Sequence, residues 1–157
     1  MGTILVAYAS RTGETLAIAE LIAEGVRLAG HQAEVRSVAA VKTAAGLTGF
    51  DGYAFGSATY HGEMLPAMKT FLFLAESAGM EGKPGGAFGA FGWSGEANDR
   101  IHQTMKHALK MSVAPDPLRL KSSRLGGGLQ MAQDYGRQLA RKLETTTGGP
   151  AGAEEAP

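Results

Sequence analysis

The 157-residue sequence contains no cysteine. Disulfide frameworks, thiolate metal sites, iron–sulfur clusters and cysteine nucleophiles are therefore excluded together. Charge of one sign is also lacking. Fifteen Lys and Arg stand against fifteen Asp and Glu, so the balance gives no argument for nucleic acid or an anionic membrane as partner. Long hydrophobic runs are missing too. The strongest, Ile4–Ala9 and Phe71–Ala75, fall far short of the ~20 residues a membrane span requires. The first residues show neither a basic n-region nor a cleavage site, and the expectation is a soluble cytoplasmic protein. No G-x-x-x-x-G-K-[ST] pattern occurs, which removes a Walker-type nucleotide site. Gly86, Gly89 and Gly92 follow a strand pattern too late to serve as a dinucleotide fingerprint.

Glycine, by contrast, is abundant. Its 23 occurrences cluster at Gly82–Gly95 and Gly126–Gly128, with others set singly between apolar segments. Such placement predicts tight turns and close backbone approach within a folded domain. A chain of this length is about one domain and buries ~70% of its unfolded surface without staples.

The apolar pattern alternates between strand and helix. Ile4–Ala9 reads as a buried strand, Glu14 to Ala29 as a helix with Ile18, Leu21, Ile22 and Val26 on one stripe, and Gly30 as its stop. Gln32–Val38 alternates and fits a strand nearer a sheet edge; Gly52–Ser57 is again continuous. Pro66 opens a second helix whose inner face is Met68, Phe71, Leu72 and Ala75. Gly85–Phe91 reads as a strand, and Glu96 to Met111 as a helix with Ala97, Ile101, Met105 and Ala108 inward. Leu118–Lys121 forms a short last strand, and Leu129, Ala132, Tyr135, Leu139 and Leu143 mark a final helix. One domain is expected over residues 1–146, with 147–157, small, polar and rich in Gly and Pro, as a disordered tail. Right-handed crossovers then make the chain an α/β protein with a doubly wound, five-stranded parallel sheet and helices on both faces.

Ligands in such sheets bind beyond the carboxyl ends of the strands. Three loops lie there. The first, Ser10–Arg11–Thr12–Gly13–Glu14–Thr15, joins three hydroxyls and a turn-permitting glycine to a helix start, a combination that binds phosphate without lysine. Ser and Thr in such a place also cap helices with no ligand. The second loop is Thr59–Tyr60–His61–Gly62–Glu63 and the third Gly92–Trp93–Ser94–Gly95–Glu96. Each sets one large aromatic among small and polar residues. Core packing is the ordinary role of an aromatic, but Trp93, the sole tryptophan, is flanked by glycine and serine. A phosphate nest with two aromatics describes a planar mononucleotide site.

These segments resemble those of flavodoxins, in particular the short-chain type and the flavodoxin domain of flavodiiron proteins. The resemblance runs over residues 3–144 and rests on Ser10–Thr15, on GSATYHGEMLP from Gly56 to Pro66, and on AFGAFGWSGEA from Ala87 to Ala97. It implies strand order 2-1-3-4-5 and FMN as cofactor. It places the phosphate on Ser10, Arg11, Thr12, Gly13, Glu14 and Thr15, and the ring between Tyr60 and Trp93. Thr59, His61, Gly62, Phe91, Gly92, Ser94 and Gly95 would complete the cofactor site. The implied role is a one-electron carrier cycling through oxidised, semiquinone and hydroquinone FMN. Its partners would be redox proteins: a flavodoxin or ferredoxin reductase as donor and an electron-accepting enzyme.

Two departures stand out. Ala58 occupies a position where such domains carry proline or serine, and the net charge is zero where flavodoxins are acidic. A receiver domain of the same topology is excluded, because Tyr8–Ala9–Ser10 and Ser57–Ala58–Thr59 lack the carboxylates it needs. An FMN-dependent NAD(P)H:quinone or flavin reductase is the alternative, since the phosphate loop does not distinguish it; stacking by Trp93 would obstruct the nicotinamide. His102 and His107 read as surface histidines with no metal.

Overall fold

The run after Gly2 forms β1 (Thr3–Ala9), an interior strand of the sheet, in a computed structural model of the chain. The structure describes residues 2–10, 13–60, 63–90, 96–114, 117–120 and 127–147. After β1 come α1 (Glu14–Leu28), β2 (Gln32–Ser37), β3 (Gly52–Ser57), a hairpin of β4 (Thr59–Tyr60) and β5 (Glu63–Met64), and α2 (Pro66–Glu76). The chain continues with β6 (Pro84–Ala90), α3 (Glu96–Gln103), β7 (Ser112–Val113), β8 (Leu118–Leu120) and α4 (Gly128–Thr147). Residues 148–157, the larger part of the expected tail, lie outside the described residues.

All main-sheet pairings are parallel, in the order β2-β1-β3-β6, with β7 and β8 together filling the fifth position beside β6. This is the expected 2-1-3-4-5 order. The fifth strand is split: β7 pairs the beginning of β6 and β8 its end. Pro117 immediately precedes β8 and, lacking an N–H, cannot extend the ladder. Helices cover both faces, and continuous apolar strands sort their side chains by parity. Leu5, Ala7, Tyr53, Phe55 and Ala87 pack with α2 and α3, while Ile4, Val6, Ala54 and Phe88 pack with α1 and α4.

The expected inner face of α2 is buried residue for residue. Along α3 the pattern shifts. A π turn at Thr104–Ala108 adds a residue to the helical repeat, so Ile101 and Met105 are buried but Leu109, not Ala108, is the next inward side chain. Val38 opens a short 3-10 turn rather than closing β2, and Leu129 is exposed at the start of α4.

Helices α1 and α4 touch backbone to backbone. A β-carbon at Gly25 would overlap the Gln133 carbonyl, and one at Gly136 the Ile22 carbonyl. On the other face Tyr53 is buried and donates its hydroxyl to the Leu47 carbonyl. Burial, and secondarily the Asp51 carboxylate, raise this phenol above its ordinary value of 10.0. The neutral form is favoured only in the folded chain, so above pH ~10 the unfolded state loses protons first and stability falls with rising pH. Urea midpoints measured from pH 8 to 11 should show this decline. Tyr53→Phe should lose about 1 kcal/mol at neutral pH yet show a shallower alkaline decline. Parallel pH profiles would contradict the assignment.

Candidate functional site

The carboxyl ends of β1, β3 and β6 lie side by side, because the pairings run Ala9 opposite Ser57 and Gly56 opposite Phe88. From this edge emerge the three loops singled out in the sequence. The first is the best described. The Ser10 hydroxyl accepts the Gly13 N–H at 2.9 Å. Gly13 takes φ of 88°, a left-handed value that a side chain would strain, and it ends the turn directly before α1. Among the described residues no side chain caps α1 there. Its leading amides and positive dipole end therefore face the space beyond β1. Thr15, in the first turn, is 1% exposed, and its Oγ1 has no hydrogen-bond partner among the described residues. A buried hydroxyl in that condition is costly unless a ligand satisfies it. Arg11 and Thr12 lie outside the described residues, and Glu14 begins α1.

The second loop is held as a hairpin: Thr59 pairs Met64 and Tyr60 pairs Glu63, antiparallel. The alternating strand–helix pattern gave no sign of this two-stranded element. His61 and Gly62, the two residues between its strands, lie outside the described residues, as do Phe91, Gly92, Trp93, Ser94 and Gly95 of the third loop. The structure thus brings Ser10, Gly13, Glu14 and Thr15 to the same sheet edge as the backbone of Thr59 and Tyr60.

Two supporting residues were not singled out from the sequence. Ser57 ends β3 fully buried, and its hydroxyl touches both ends of the second loop. Asn98, fully buried in α3, points its amide nitrogen toward the carbonyls of Gly89, near the end of β6, and Leu118, at the start of β8. A β-carbon at Gly89 would overlap Asn98 and the Ser57 carbonyl, so glycine is what lets this junction close. The available signals were a lone asparagine early in a helix and a lone serine ending an apolar strand; both residue types are common enough to pass unnoticed. His102 is a correction: it is buried at 8% exposure, on the inward side of α3, while His107 is exposed.

One groove away from this edge lacks the chemistry for an anion. It measures about 850 Å³, lies between α1 and the edge strand β2 and presents Glu20, Glu24 and Glu34 around Arg27. Three carboxylates would repel a phosphate that the first loop attracts. Among the described residues no group of three or more His, Asp or Glu could hold a metal, and no helix is long and apolar enough to cross a membrane.

Comparison with known proteins agrees with this geometry. The family model described as a flavodoxin domain matches residues 5–136, and the chain belongs to that family. A curated relative, the putative diflavin flavoprotein A 2 of Thermosynechococcus vestitus, is 33% identical over 140 residues, covering 87% of this chain and 24% of its own length. The chain thus spans about a quarter of that relative. Among solved structures, a flavodoxin from the domain Archaea superposes with a TM-score of 0.85 at 32% identity, covering 90% of this chain and 99% of that one. The Flv1 flavodiiron core from Synechocystis sp. PCC6803 gives 0.83 at 27% identity, over 91% of this chain and 36% of its own. FMN is the cofactor of this family, and the start of α1 has features that suit a phosphate: a buried hydroxyl without a partner and a helix start without a side-chain cap among the described residues, and a left-handed glycine turn.

Proposed function

We propose that this chain is an electron carrier that holds FMN at the carboxyl edge of its sheet and passes electrons one at a time between a reductase and a redox acceptor. The observation that carries the reading is the buried, unpartnered Thr15 Oγ1 in the uncapped first turn of α1. When bound, FMN supplies the redox chemistry, and the residues supply binding and environment.

In this reading Ser10, Arg11, Thr12, Gly13, Glu14 and Thr15 bind the phosphate. Ser10 already shapes the turn through Gly13 N–H, so its oxygen acts as a structural acceptor, while Thr15 Oγ1 donates to the anion. Tyr60 and Trp93 flank the ring and exclude water. Thr59, His61, Gly62, Phe91, Gly92, Ser94 and Gly95 line its edges and fix its orientation. The balanced net charge leaves partner recognition to local charges such as the Arg119–Asp99 ion pair between β8 and α3.

A carrier needs a separate reductase. FMN-loaded protein mixed anaerobically with NADPH or NADH should keep its absorbance for minutes and bleach rapidly once a flavodoxin or ferredoxin reductase is added. Rapid bleaching by the nicotinamide alone, with turnover of an added quinone, would make the protein an enzyme instead.

A further inference from the structure

Ser57 closes β3, the central strand beside β1, and is completely buried. Its hydroxyl accepts the Leu65 N–H at 3.0 Å and donates to the Ala58 carbonyl at 2.9 Å. Ala58 and Leu65 are the two ends of the segment that carries Thr59, Tyr60, His61 and Gly62. One hydroxyl therefore joins both stems of that loop. Leu65 is also the N-cap position of α2, which has no side-chain cap of its own, and an N–H there has no acceptor within the helix.

The anchor is rigid and the loop is not self-sufficient. Ser57 pairs Ala9 of β1, the Ala58 N–H reaches the Ala9 carbonyl, and the Ser57 carbonyl lies against Gly89 with no room for a side chain between. By contrast β4 and β5 have two residues each, too few for a hairpin to hold its own shape in water. Where the hairpin sits relative to the sheet depends on what ties its base.

We infer that Ser57 is a positioning residue: its hydroxyl fixes the base of the Thr59–Gly62 loop and thereby sets the ring side of the flavin site, an assignment that rests on the cofactor reading above. The hydroxyl makes no contact with the phosphate loop among the bonds described, so its influence is on the ring and not on the anion.

The test compares wild type, Ser57→Ala and Ser57→Thr, each loaded with FMN, by native-state amide hydrogen exchange. It also measures dissociation constants for FMN and for riboflavin. Ser57→Ala leaves a buried Leu65 N–H without its acceptor, so exchange at that amide should rise about tenfold. FMN and riboflavin should weaken by a common factor, also about tenfold, because both carry the ring. Protection in the middle of β1 and β3 should stay as in wild type, and Ser57→Thr should restore Leu65 protection and both affinities. Ser57→Cys, a weaker acceptor of similar size, should lose less in the same direction and serves if the alanine variant fails to fold. Unchanged Leu65 exchange, a loss confined to FMN, or a loss of protection spread evenly over β1 and β3 would each overturn the assignment. A wild-type chain that takes up neither flavin would overturn the cofactor reading itself, a result distinct from unaltered affinities in Ser57→Ala.

Discussion

Removal of the Thr12 and Thr15 hydroxyls together should weaken FMN by roughly two to four orders of magnitude, because each hydrogen bond to a charged group contributes about 1.5–3 kcal/mol. Thr15 is the better placed of the two, buried in the first turn of α1 with Oγ1 unpaired among the described residues. Thr12 comes from the sequence of the loop, outside the described residues. The effect should be specific to the phosphate. Thr12→Ala with Thr15→Ala should leave riboflavin binding nearly unchanged, since riboflavin has the ring but no anion. Fluorescence titration of the apoprotein with both flavins separates the cases. Equal losses for the two ligands would put the phosphate elsewhere. Thr15→Ala alone should not destabilise the apoprotein, because the alanine removes a polar atom that has no partner there.

The second large effect concerns folding. Gly136→Ala should cost about 3 kcal/mol, the upper part of the range for overpacking, because the obstruction is backbone on both sides. A β-carbon at Gly136 would meet the Ile22 carbonyl and the Val26 nitrogen, and the matching position on α1, Gly25, meets the Gln133 carbonyl. Neither helix can yield by changing a rotamer; the two must separate, and Ile22, Val26, Ala132 and Leu139 would lose part of their packing. Alanine normally favours a helix over glycine by up to ~1 kcal/mol, so intrinsic propensity predicts the opposite sign. Urea unfolding of Gly136→Ala against Gln138→Ala, an exposed neighbour on the same helix, distinguishes the two. A Gly136 variant as stable as wild type would mean that α1 and α4 are not in backbone contact.

These two cases show why part of the molecule was legible in the sequence. Layering followed from Ile4–Ala9 and Gly52–Ser57, whose unbroken apolar runs require cover on both faces, whereas the strand order came from the resemblance of the loops to those of flavodoxins. The α2 stripe of Met68, Phe71, Leu72 and Ala75 gave its face directly, because four apolar residues at helical spacing have one consistent burial. The glycine clusters predicted close approach, but not which chain segments approach; that Gly25 meets α4 and Gly89 meets Ser57 is tertiary information. The π turn was invisible for a related reason. A stripe assumes a constant repeat, and the widened turn at Thr104–Ala108 transfers burial from Ala108 to Leu109. In the candidate site, the turn from Ser10 into α1 was legible because its features are local: hydroxyls, a glycine and a helix start adjacent in sequence. Ser57 was not, because its importance lies in reaching Leu65, eight residues on, and a serine that ends a strand gives no local sign of that bond.

One-electron carriage by FMN in this site is tested by anaerobic potentiometry of the FMN-loaded protein with simultaneous absorbance spectra. The aromatic, cation-poor ring site proposed here disfavours a second added charge more than the first, so reduction should proceed in two separated one-electron steps, with the second potential well below the first. A single two-electron step from oxidised to fully reduced flavin would contradict the claim.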